Sequence, residues 1–215
     1  GEGWGSVAEL KAPGAPGAGG EDKGAGSEAE GMLDGFTGGP AFVRNGRMDL
    51  LAVNVLARGF YKDVYDMPGQ PPNLARFTFL DERAHQFYPD WEMFAEVTVA
   101  ILRTEAGRDP HNKELHDLIG ELCTRSPEFR VLWGGHDVRH HGTGSKTFRH
   151  PEVGEMTLAF EGMALEAEPG LTFTAYTAEP HSPSADRMRL LASWALSEYG
   201  TGPAAAEAAG PERDA

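Results

Sequence analysis

Arg125, Arg130, His136, Arg139, His140, His141, Lys146, Arg149 and His150 crowd one stretch of a chain that is acidic as a whole. The whole sequence carries 19 Lys and Arg against 33 Asp and Glu, a formal net charge of -14. On such a body the stretch forms a local rim friendly to anions. A carboxylate is the anion that arginine matches best, through two parallel N–H donors. The alternative is that these are solvated strand and turn residues, since charged side chains are exposed by default. Three further chemistries can be weighed on the same residues. The spacing His136, Asp137, His140, His141 invites a metal, but adjacent strand residues point to opposite faces, and a zinc site needs further ligands and partners that fix them. No metal is expected. Ser126, Ser145, Ser182 and Ser184 lack the G-x-S-x-G turn of an activated serine, and Ser126 and Ser182 stand before prolines at helix starts. Gly142-Thr143-Gly144 is too short to cradle a phosphate. The expectation is therefore no enzyme and no cofactor. The single cysteine, Cys123, lies in a helical apolar pattern and reads as a small core residue in a reducing, cytoplasmic setting.

The elements that must position the basic stretch follow from the pattern around it. Ser126-Pro127 reads as a helix start, with Phe129, Leu132 and Trp133 on one face and Gly134-Gly135 at the end. Beyond it the spacing turns to that of strands, Asp137 to His141 and Lys146 to Arg149, with a turn expected at Gly142 to Ser145. Two more strands are expected, Glu155 to Glu166 and Leu171 to Ala178. In the first of these, Met156, Leu158 and Phe160 alternate with Thr157, Ala159 and Glu161, so one face is buried.

Upstream, Asn45-Gly46 between apolar runs predicts a hairpin of Ala41 to Val43 with Met48 to Val53. Asn54, Asn73 and Asp81 stand where they can cap three short helices, the last ending at Phe87. Trp91 to Gly107 carries apolar residues three and four apart, as does Lys113 to Thr124. A last amphipathic helix runs from Ser184 to Glu198. Residues 1–31, rich in glycine, read as a flexible linker, 32–199 as one domain, and 200–215 as a disordered tail. No apolar run is long enough to span a membrane. The order of elements predicts an α+β domain of PAS-like layout, a single antiparallel sheet of about five strands with helices packed on one face.

Several segments together resemble the ligand-binding domain of MmyB-like transcription regulators: PAFVRNGRMDLLAVN at 40–54, NLARFTFLDERA at 73–84, RSPEFRVLW at 125–133, HPEVGEMTL at 150–158 and YTAEPHSPSADRMRLLAS at 176–193. The resemblance covers about Met32 to Ser193. It implies the PAS-like sensor half of a bacterial helix-turn-helix regulator, with DNA contacted only through an N-terminal domain that is not recognisable in this chain. It also implies a small hydrophobic ligand, and a member of the family holds a fatty acid. On that reading Phe77, Phe94, Val97, Ile101, Leu118, Leu122, Phe129, Trp133, Phe148, Leu158 and Phe160 line an elongated apolar pocket between the sheet and the Trp91 to Thr124 helices. Arg125, Arg130 or His136 would hold a carboxylate head group at its mouth. A dimerisation or protein-docking module of the regulator, with a closed interior and no small-molecule ligand, is the other reading that the same residues allow, and a homodimer is compatible with both.

Overall fold

The computed structural model describes residues 26–69, 71–135 and 143–200. Helix α1 (Gly26–Gly35) begins inside the stretch expected to be linker. Strands β1 (Ala41–Arg44) and β2 (Leu50–Val53) pair antiparallel as the Asn-Gly signal predicts, with a register shift between Val43 and Arg44. Asn45 makes the turn through its side chain, accepting from the amides of Arg47 and Asp49 at 3.0 and 3.1 Å. The left-handed residue is Met48, at φ 67°. Gly46 is needed for another reason: a Cβ there would run into the side chain of Glu105.

Four short helices follow, α2 (Val55–Phe60), α3 (Lys62–Tyr65), α4 (Leu74–Leu80) and α5 (Arg83–Phe87). The side chains of Asn54 and Asn73 cap α2 and α4, each accepting an amide N–H at 2.8 Å. Asp81 does not cap α5 in the expected way. Glu82 holds the cap position without a side-chain bond, and Asp81 accepts instead from the amide and guanidinium of Arg83. The long helices α6 (Trp91–Arg108) and α7 (Lys113–Arg125) start at Asp90 and Asn112, and α8 (Pro127–Gly134) starts at Ser126, which accepts from the Phe129 amide.

Strand β3 (Thr143–His150) corrects one expectation. Thr143, Gly144 and Ser145 do not turn but pair with Glu161, Phe160 and Ala159 of β4 (Gly154–Ala164), because the long β4 offers its ladder groups that far. The expected strand Asp137 to His141 lies outside the described residues. Strand β5 (Thr172–Thr177) and helix α9 (Pro183–Tyr199) complete the chain, and Ser182 caps α9.

The sheet runs β2-β1-β5-β4-β3, antiparallel throughout, so the chain has the expected α+β class with one five-stranded sheet. Its inner face presents Phe42, Phe148, Met156, Leu158 and Tyr176 to a core shared with α2, α4, α5 and α6. On the other face, among the described residues, Leu33 of α1 and Phe36 pack on Ala41, Val43, Phe173 and Ala175 near β1 and β5. Asn54 ties these layers together at 5% exposure. Its amide donates to the carbonyls of Phe36 and Gly39, and its oxygen accepts from Ala41 and Ala57.

Candidate ligand-binding site

The inner face does not pack solidly along its whole length. Where β4 ends in Gly162 and Ala164, small residues leave the sheet low, and α6 crosses above it. A cavity of about 410 Å³ remains between them. That volume falls in the range of about 300–1,000 Å³ usual for small-molecule sites. Phe94, Val97 and Ile101 of α6 form the roof, and Phe42, Phe160 and Leu171 contribute from the sheet side.

Four of the pocket residues expected from sequence, Phe94, Val97, Ile101 and Phe160, thus line the cavity. The others are placed elsewhere. Phe77, Leu118, Leu122, Phe129, Phe148 and Leu158 are at most 2% exposed within the packed core, and Trp133 stacks on Phe129 at 5.6 Å. For Leu118, Leu122, Phe129 and Trp133 the reason is layering, since α7 and α8 pack behind α4 and α6, away from the sheet. Phe77 and Phe148 are filled around by Phe87 and Tyr88, and Leu158 belongs to the same core. Arg125 lies beside a different recess and pairs with Glu121 at 2.7 Å, and Arg130 is exposed. His136 lies outside the described residues, with Asp137, His140 and His141. Among the described residues no three metal-ligating side chains converge. Cys123 is partly buried on the core, and burial pushes its thiol up.

The polar groups of the cavity are ones that the sequence did not single out for it. Arg44 ends β1 with its side chain on the inner face, two residues from Phe42. Lys146 takes the same face of β3, two residues from Phe148, with Nζ 4.1 Å from the Phe160 ring centre and 5.2 Å from that of Phe94. Burial, reinforced by the positive charge of Arg44, brings the Lys146 amine down to about 8. Burial also pulls Arg44 below the usual arginine value, while Tyr176, Tyr61 and Glu105 act in the opposite direction. Arg44 donates to the carbonyl of Asn45 at 3.2 Å.

The Tyr61 and Tyr176 hydroxyls meet at 3.3 Å, and burial pushes both up, as it does Tyr88. Glu105 is the carboxylate of the cavity wall, and it pairs with Arg108 at 2.6 Å. Among the described residues no carboxylate comes within ion-pair distance of Arg44 or Lys146. The signal that could have exposed them was a cation at an inward position of an alternating strand, Phe42-x-Arg44 and Lys146-x-Phe148.

One buried histidine completes the picture. His150, 1% exposed, accepts the Glu152 amide N–H at Nδ1 and donates from Nε2 to the carbonyl of Gly59 at 3.1 Å, so both nitrogens are used by the neutral ring. Burial lowers its pKa, and it belongs to the core rather than to an anion rim.

No helix among the described residues is long and apolar enough to cross a membrane. No curated protein matches the sequence. Residues 25–191 match the family model described as the MmyB-like transcription regulator ligand binding domain.

Proposed function

The chain belongs to the family of MmyB-like transcription regulator ligand binding domains, and from that premise we propose that it senses an amphiphile, such as a fatty acid, whose tail lies between α6 and the sheet. A ligand-binding regulatory domain is what the family gives; it is not an enzyme family. The observation that carries the finer reading is the cavity itself. Its walls are chiefly aromatic and aliphatic, and among the described residues two of its cations, Arg44 and Lys146, have no carboxylate partner. An alkyl tail placed there gains about 0.8 kcal/mol for each methylene removed from water. DNA contact in this reading is made by a helix-turn-helix domain outside the matched residues.

Native mass spectrometry of the purified domain, followed by organic extraction, is the test. A retained amphiphile is the expected result. A ligand-free domain whose melting temperature responds to no amphiphile would instead favour the docking-module reading, and the same spectra report whether the domain is a homodimer.

A further inference from the structure

In this acidic protein two half-buried cations, Arg44 and Lys146, have no carboxylate partner among the described residues, which leaves a charge for something else to answer. Arg44 and Lys146 enter the cavity from strands at opposite sides of β4 and β5, and each is close enough to influence the other. Lys146 rests on the faces of two aromatic rings, which supports a cation weakly and offers no hydrogen-bond acceptor in their plane. Glu105 is felt by Arg44 but is engaged by Arg108. Beside Arg44 stand two tyrosine hydroxyls: Tyr61 donates to Tyr176, which leaves the Tyr176 O–H to donate to an anion.

We propose that Arg44 and Lys146, with the hydroxyls of Tyr61 and Tyr176, form an interior seat for a singly charged anionic head group, so that the ligand is recognised as a carboxylate from within the sheet. This rests on the cavity being a ligand site. A single charge fits better than a double one. Arg108 answers Glu105, Arg44 keeps its charge throughout and the Lys146 amine keeps its own only below about 8, so one negative charge is matched on both sides of that pH, while a second would meet the Glu105 carboxylate on the same wall. The seat lies far from Arg125 and Arg130 in structural terms: those side chains flank α8 and the recess beside α4, outside the cavity.

Binding then has a proton signature. The ionisable groups facing this space are Arg44, Tyr61, Tyr88, Glu105, Arg108 and Tyr176. In the empty cavity the Lys146 amine is held at about 8, so above that pH it is largely neutral. A carboxylate beside it favours the ammonium form, and the complex takes up a proton.

The experiment compares an alkyl carboxylate, the alcohol of equal length and the corresponding alkyl phosphate. Each is titrated calorimetrically into the unmodified chain, Lys146→Met, Arg44→Gln and Arg130→Ala. The unmodified chain is expected to prefer the carboxylate over the alcohol by about tenfold or more. Lys146→Met and Arg44→Gln should each remove about tenfold of that preference and change alcohol binding by less than about twofold, whereas Arg130→Ala should leave the preference intact. At about pH 9, titrations in two buffers of different ionisation enthalpy should show proton uptake with the carboxylate, lost in Lys146→Met. That readout decides the matter even if Arg44→Gln does not fold. Carboxylate preference surviving both cavity variants, or no proton uptake in the unmodified chain, overturns the seat while leaving the ligand reading intact. Tighter binding of the phosphate overturns the single-charge assignment. Binding of none of the three by the unmodified chain defeats the ligand reading itself.

Discussion

A buried imidazole that uses both nitrogens on main-chain partners resists protonation, because the charged form would lose the acceptor at Nδ1 and sit in a dry site. For His150 the sign is clear. Its folded pKa lies below the ordinary histidine value, so the unfolded chain binds the proton more readily, and the stability it contributes is lost as pH falls below about 6.5. An NMR titration should therefore place the His150 midpoint below that of a free histidine; a midpoint at or above the ordinary value would contradict the hydrogen-bonding scheme. Lys146 obeys the same logic. Its folded pKa is depressed to about 8, so the empty domain gains stability as pH rises from about 8 toward about 10. The gain should be absent in Lys146→Met when urea midpoints of the two chains are compared across that window. Equal pH dependence in both would mean that Lys146 is solvated. Both residues are visible in the sequence as members of one basic cluster, but composition cannot say that they share the buried face of one strand, whose first three residues, Thr143 to Ser145, carry the pattern of a turn.

Elements are held here by a few side chains with several obligations each. Asn54 caps α2 and satisfies groups from β1, α1's exit and the loop at Gly39. Asn54→Ala should cost about 3 kcal/mol, combining a lost cap of about 1 kcal/mol with buried partners left unsatisfied. Chemical denaturation gives the number, and a loss under about 1 kcal/mol would show that water replaces the amide. Gly59 sets the approach of α2 to α9: a Cβ there would lie 2.6 Å from that of Ala195. Gly59→Ala should lower stability by about 1–3 kcal/mol, and Ala195→Gly in the same chain should restore part of it. The caps at Asn54, Asn73 and Ser126, the hairpin and the alternation of β4 were all legible, because each is a local pattern of a few residues. What could not be read was which helix faces the sheet. The apolar stripes of α6 and α7 look alike in sequence, yet only α6 lines the cavity, and Leu118 and Leu122 of α7 are packed away behind it.

At the scale of the molecule, the net charge of -14 sets the first expectation. The isolated chain should show no sequence-specific retardation in a gel shift at moderate salt, since phosphate binding requires clustered cations. Tight, sequence-dependent binding would contradict the assignment of DNA contact to another domain. The central claim is that the space between α6 and the sheet is hollow and takes an apolar tail. Gly162 offers a direct handle, because a Cβ there meets only Thr172 and Thr174 at 3.7 and 3.9 Å, so a larger side chain can enter the cavity without disturbing the ladder. The deciding measurement is a calorimetric series of straight-chain carboxylates of increasing length on the unmodified chain and on Gly162→Leu. Affinity should rise by about 0.8 kcal/mol per methylene until the cavity is full, and Gly162→Leu should reach that limit at a shorter chain. A flat series, or the same limit in both chains, would show that the tail is not held between α6 and the sheet.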